Sequence, residues 1–377
     1  MISHCKTTRC LGLLCGLLVH VHFIQPADAD ALDSRMHLSQ SHSFAKGDHV
    51  LIAVVDTGID VNHPALKDAL WVNPGESGRD PNGAPKEKNQ IDDDSNGFID
   101  DVNGWNFASN NNDLSDHHGH GTHIAGLIAA KRMAPYAFQG VAPNVKLMVL
   151  KYYDPVAAHH SNLESSTAAI QYAIKMHADI INFSSGGDSK SNDEEMVIRE
   201  ASRTDILIVA AAGNSGLNND RHGFYPASYG LENLISVASL RNGADRLLTS
   251  SNFGPKTVDI AAPGEDLFST LPGGRYGRMT GTSQATALVT GVAALYLSMH
   301  AEHPSAAFIK RQLMSVVDIN DQLLNKTQSS GCVNALTSLT TLPEGQTASG
   351  APIFSLQRLN RDLFTVRPAE SAPLLKR

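Results

Sequence analysis

The sequence predicts an α/β fold built on a central, mostly parallel sheet flanked by helices, and three observations carry that prediction. Aliphatic and β-branched runs recur at residues 50–55, 145–150, 179–183 and 206–211. They are continuous, not alternating, which is the pattern of strands covered on both faces. Each run ends in a small or glycine-rich segment, and residues 163–177 between two of them have the amphipathic spacing of the connecting helix that a parallel pair requires.

Taken in order, the chain opens on a targeting segment at residues 1–29. Lys6 and Arg9 make a basic start, residues 11–24 are mostly apolar, and Ala27-Asp28-Ala29 puts small residues where a signal peptidase cuts. The apolar run is too short to span a bilayer comfortably, so a cleaved signal is expected in place of a stable membrane anchor. Residues 30–49 form a short polar N-terminal arm. The strand at 50–55 delivers Asp56 to its carboxyl end, where the turn Thr57-Gly58 begins and where open parallel sheets line their clefts. His120 should open a helix, because Ile124, Leu127 and Ile128 follow at helical spacing. Ser283 should open another, followed by Leu288, Val289, Val292 and Leu295. These motifs must meet in one site, which makes residues 50–341 one domain. Residues 342–377 read as a C-terminal tail broken by Pro343, Pro352, Pro368 and Pro373.

Three short motifs hold the chemistry: Val54-Val55-Asp56-Thr57-Gly58, Gly119-His120-Gly121-Thr122-His123 and Gly281-Thr282-Ser283-Gln284-Ala285. A serine hydroxyl is a poor nucleophile at neutral pH. It needs a base to take its proton, and the base needs a third group to fix its tautomer. Asp56, His120 and Ser283 supply those three groups. Each also has a plainer role open to it, Asp56 as a turn former and Ser283 as a helix cap. Ala285 stands where Gly-x-Ser-x-Gly would need its second glycine, which counts against an α/β-hydrolase esterase.

In these motifs and their order the chain resembles the subtilisin-like serine proteases, the subtilases of peptidase family S8. The resemblance runs from about residue 50 to 335 and includes Gly140-Val141-Ala142-Pro143 and Tyr225-Pro226-Ala227-Ser228. It implies a subtilisin-like three-layer fold and a serine endopeptidase that hydrolyses peptide bonds through an acyl-enzyme. It implies that His120, not His123, is the base, and that Asn214 in Ala211-Ala212-Gly213-Asn214 donates to the oxyanion. Ser184, Ser185 and Gly186, with Ala211, Ala212 and Gly213, are then the two walls of the primary specificity pocket, and an extended peptide adds as a strand beside the first wall. A peptide-processing enzyme with transpeptidase activity and a catalytically silent binding protein are the alternatives. Ser185 stands where the family usually has a bulkier apolar residue, Gln284 where methionine is common, and Ala287 where proline is common.

Composition narrows the partners. The 377 residues are 42 % hydrophobic and 18 % charged with a net charge of −8, which suits a secreted or periplasmic protein acting on protein or peptide substrates and argues against nucleic acid. Three of the four cysteines, Cys5, Cys10 and Cys15, fall in the signal segment, so Cys332 has no partner for an internal disulfide. No catalytic cofactor is expected. A structural calcium ion is, because Asp92, Asp94, Asn96 and Asp100 follow EF-hand spacing around Gly97, although the twelfth position is Asn103 in place of an acid.

Overall fold

The first strand sits at the middle of the molecule and explains its layering. In β1 (Leu51–Asp56) Ile52 and Val54 point to one face of the sheet, and Ala53 and Val55 to the other, so each side chain set packs into a separate core. The computed structural model describes residues 32–341 apart from 34, 137, 158–160 and 244; the expected signal segment and the tail at 342–377 lie outside the described residues.

The other strands are β2 (Gly104–Asn106), β3 (Lys146–Lys151), β4 (Ile180–Phe183), β5 (Leu207–Ala211), β6 (Leu234–Leu240), β7 (Ile260–Pro263), β8 (Leu267–Leu271), β9 (Arg275–Met279), β10 (Asp318–Ile319) and β11 (Gly331–Cys332). Nine of them form one sheet in the order β10-β11-β7-β6-β5-β4-β1-β3-β2, and every pair in it is parallel except β10 with β11. β8 and β9 make a separate antiparallel hairpin. The four apolar runs are β1, β3, β4 and β5, and β1 pairs with both β3 and β4, which puts the switch in strand order beside Asp56.

The helices are α1 (Leu38–Ser41), α2 (His120–Ala129), α3 (Asn162–Lys175), α4 (Asn192–Arg203), α5 (Thr282–Ser298), α6 (Ala306–Ser315) and α7 (Ala335–Thr340). α2 and α5 cover the face that carries Ile52 and Val54, through Ile124, Leu127, Leu288, Val292 and Leu295. α3 and α4 cover the other face, through Ile170, Ala173, Val197 and Ile198. Ser161 and Ser191 cap α3 and α4 by accepting the N–H groups of Glu164 and Glu194. α5 is buried around its whole circumference from Thr282 to Leu297, so its sequence is rich in alanine and its polar groups are satisfied inside. Thr286 donates to the Thr282 carbonyl and Thr290 to Asn182. A Cβ on Gly291 would lie 2.5 Å from Val141, so only glycine lets this helix close on the 140–143 segment. Cys332 is a buried free thiol whose pKa burial pushes up to about 12, which leaves it inert.

Candidate active site

Four segments meet at the carboxyl end of the sheet. Asp56 closes β1, His120 opens α2, Ser283 is the second residue of α5, and Asn214 follows β5. Together with Thr57, His118, Tyr152, Tyr153, Asn162, Ser184, Ser185, Gly186, Ala211, Gly213, Phe224 and Thr282 they line a cavity of about 400 Å³. Ala212, expected in the same wall as Ala211 and Gly213, is fully buried and does not line the cavity.

The carboxylate and the ring are joined directly. Asp56 is 3 % exposed, and its Oδ1 accepts from the His120 Nδ1 at 2.8 Å and from the Thr57 N–H at 2.8 Å. This bond fixes the His120 tautomer with its proton on Nδ1 and leaves Nε2 as the basic atom. Burial pulls the His120 pKa down. The charge and hydrogen bond of Asp56 and the charge of Asp116 outweigh it, so the net direction is up from 6.5.

His123, the other histidine of the motif, is buried and engaged elsewhere. Its Nε2 bonds the Leu267 carbonyl of β8 at 3.0 Å, and burial with the neighbouring His120 pushes its pKa down to about 3. His117 and His118 are exposed. His117 pairs with Asp154 at 3.1 Å, and Asp154 also takes the buried Lys151 ammonium at 2.6 Å.

The serine is poised but turned aside. The Ser283 hydroxyl donates to the Ser184 carbonyl at 2.8 Å, and the Ser184 hydroxyl returns a bond to the Ser283 carbonyl at 3.1 Å. Asn182 in turn donates to the Ser184 hydroxyl. The Asn214 Oδ1 accepts from the Thr282 N–H at 2.9 Å and from the Thr282 hydroxyl at 3.1 Å, which commits its oxygen and not its Nδ2 donor. Gln284 is buried beside Ser283, where no thioether is present to oxidise.

Sequence reasoning missed three residues here. Asp116 is a buried carboxylate four positions before His120. It accepts from the Thr57 hydroxyl, from the N–H groups of His118, Gly119 and Thr122, and from the Thr122 hydroxyl. Thr57 thus gives its hydroxyl to Asp116 and only its N–H to Asp56, while accepting from the Gly121 N–H. Asp116 therefore ties the Asp56 turn to the start of α2. Tyr152 donates its hydroxyl to the Ser185 hydroxyl at 2.5 Å and lines the same cavity. Phe224 is the third. Proximity in the chain to a motif residue was the available signal for Asp116 and for Phe224, which immediately precedes Tyr225; for Tyr152 there was none.

The acidic loop departs from EF-hand register. Oxygen atoms of Glu76, Asp92 and Asp94 lie within 4.8 Å of one another. Glu76, absent from the expected set, is fully buried. Its Oε1 accepts the Asp93 and Asp94 N–H groups, while its Oε2 has no partner. Asp100 is not in this group; its carboxylate accepts the N–H groups of Asn89 and Gln90. The Asn96 oxygen accepts the Phe98 N–H, and its amide donates to Asp94 and Asp101. A buried carboxylate oxygen facing two further acids is a donor set that fits a hard divalent cation such as calcium.

Comparison with known proteins shows the family to which the chain belongs. A family model described as the subtilase family matches residues 47–343. The major intracellular serine protease of Bacillus subtilis is 35 % identical over 259 residues, covering 68 % of this chain and 71 % of that protein. A subtilisin of Bacillus pumilus is 35 % identical, covering 67 % and 78 %. The chain spans about half of some longer relatives, such as 48 % of subtilisin-like protease 1 of Plasmodium berghei. Among solved structures, a cold-adapted subtilisin-like serine proteinase superposes with a TM-score of 0.58 at 26 % identity, covering 77 % of this chain and 88 % of that one. The prenylagaramide maturation protease superposes with a TM-score of 0.60 at 26 % identity, covering 80 % and 96 %.

Proposed function

The chain belongs to the subtilase family and is a serine-type endopeptidase, and from its site we propose that it cuts peptide bonds with Asp56, His120 and Ser283 through an acyl-enzyme on Ser283. The observation that carries this reading is the 2.8 Å bond from His120 to a buried Asp56 beside Ser283 in one cavity. An extended peptide pairs with residues 184–186, and its N–H takes the Ser184 carbonyl. That frees the Ser283 hydroxyl, which rotates to His120 Nε2. His120 removes the proton as Oγ attacks the carbonyl carbon, and Asp56 steadies the imidazolium without taking its proton. The oxyanion is met by the Asn214 amide and the Ser283 N–H at the start of α5, a donor of this kind being worth about 3 kcal/mol. His120 then protonates the leaving amine, and water attacks the acyl-enzyme by the reverse path.

Around this site, Asp116 is a positioning residue, because it holds both the Asp56 turn and the α2 start. Glu76, Asp92 and Asp94 would hold a structural calcium ion, which supplies positive charge to a loop crowded with carboxylates and takes no part in bond cleavage. Secretion or export to the periplasm rests on the signal-like residues 1–29. Among the described residues no helix is long and apolar enough to cross a membrane. Mass spectrometry of a peptide mixture incubated with the protein and an amine peptide tests the reaction. Hydrolytic fragments absent with Ser283→Ala support the proposal, amine-joined products identify transpeptidation, and intact peptides point to a silent fold.

A further inference from the structure

The primary specificity pocket carries its own stopper. Its two walls are the segment Ser184–Gly186 after β4 and the segment Ala211–Gly213 at the end of β5. A side chain preceding the scissile bond must enter between them. The Phe224 ring stands in that gap. A Cβ on Gly186 would lie 2.6 Å from Phe224 Cε1 and 3.0 Å from its Cζ, while a Cβ on Gly213 would lie 3.0 Å from Cγ and 3.1 Å from Cδ1. One edge of the ring therefore touches one wall and the opposite end touches the other, and the ring lines the cavity between them.

The backbone on either side of the ring is also held in place. Gly187 and Tyr225 exchange both backbone hydrogen bonds, at 2.9 and 2.7 Å, which pins the Phe224 segment against the first wall. The Phe224 N–H donates to the Ser228 hydroxyl. The second wall is braced by Asn252, whose N–H donates to the Gly213 carbonyl and whose oxygen accepts from Ser215 and Leu217. Neither wall can retreat from the ring without breaking these bonds.

We propose that Phe224 blocks the depth of the primary pocket and restricts cleavage to bonds preceded by glycine, alanine or serine. This inference rests on the peptidase reading of the same site. A large side chain would have to occupy the volume of the ring itself. A methyl or hydroxymethyl group needs only the mouth, where the Ser185 hydroxyl and its Tyr152 partner make the rim polar. The natural substrates are then proteins or peptides with a small residue before the cut.

The test uses the full chain, its active sites counted by a fluorophosphonate, and five quenched peptides that differ only in having Gly, Ala, Val, Leu or Phe before the scissile bond. Misfit in an apolar pocket is worth roughly 10–200-fold per methylene, so kcat/KM per labelled site should favour Ala over Phe by at least ~100-fold. Phe224→Gly should raise the Phe-to-Ala ratio by at least ~10-fold, and Phe224→Ala serves where the glycine variant does not fold. A wild-type protein that takes up the label and cleaves Phe as well as Ala overturns this inference and leaves the peptidase reading standing. So does an Ala preference that neither variant relaxes. A folded protein that neither labels nor cleaves overturns the peptidase reading, and this inference with it.

Discussion

Asp56 and Glu76 are both buried carboxylates with one oxygen left without a partner, yet they sit in opposite surroundings. Asp56 faces a ring that acquires positive charge during the proposed reaction, so its deficit is met at the moment of catalysis. Glu76 faces Asp92 and Asp94, and burial with the charges of Asp101 and Asp94 raises its pKa despite two backbone donors. Its deficit is relieved by a proton or by a cation bound between the three carboxylates. An unsatisfied buried carboxylate therefore marks either a reserve for chemistry or a seat for an ion, and the neighbouring charges tell which.

The largest effect should come from the Asp56 side of this comparison. Asp56→Asn keeps the shape of the side chain but donates where it should accept, so it favours the wrong His120 tautomer. We expect kcat to fall by about 10⁴-fold with little change in melting temperature. A loss below tenfold would make Asp56 no different from a structural carboxylate.

On the Glu76 side the effect should appear in stability. At a calcium concentration a hundredfold above its dissociation constant the ion adds about 2.7 kcal/mol, which corresponds to a melting shift on the order of 5 °C. A chelator should remove this shift, and Glu76→Gln, which retains the Oε1 acceptor, should abolish it. Asp100→Asn should leave it in place. A melting temperature indifferent to calcium and chelator would erase the contrast between the two carboxylates.

The smallest effect sharpens the comparison at Asp116. His120 acts as a base only when neutral, so activity should be lost as pH falls through its pKa, which lies above 6.5. Asp116→Asn removes a negative charge that supports the imidazolium, so the acid limb of kcat/KM should move to lower pH. Loosened positioning should cost about ten- to a hundredfold in rate at the optimum. An unmoved limb with the same rate loss would limit Asp116 to holding the loop.

The sheet was legible because β1, β3, β4 and β5 are buried on both faces, and such burial writes uninterrupted apolar runs. β10 and β11 were not, because two-residue strands carry no period, and the hairpin β8–β9 was not, because polar Ser269, Thr270, Arg275 and Arg278 interrupt its apolar residues. Asp56, His120 and Ser283 were legible because each sits in a glycine-flanked motif at the end of a strand or the start of a helix. Phe224 was not, since a phenylalanine reads alike in a core and in a cleft, and only the approach of Gly186 and Gly213 to its ring reveals where it stands. The acidic run was visible as a candidate cation loop, and its spacing suggested Asn96 and Asp100, whereas the carboxylates that gather are those of Glu76, Asp92 and Asp94. Glu76, sixteen residues before Asp92, arrived by a route that no local spacing encodes.

Mapping a fluorophosphonate adduct by mass spectrometry, on wild-type protein and on His120→Ala, tests the central claim most directly. The account predicts a single adduct on Ser283 that is all but absent in the variant. Modification of another residue, or equal labelling of Ser283 without the imidazole, would contradict it.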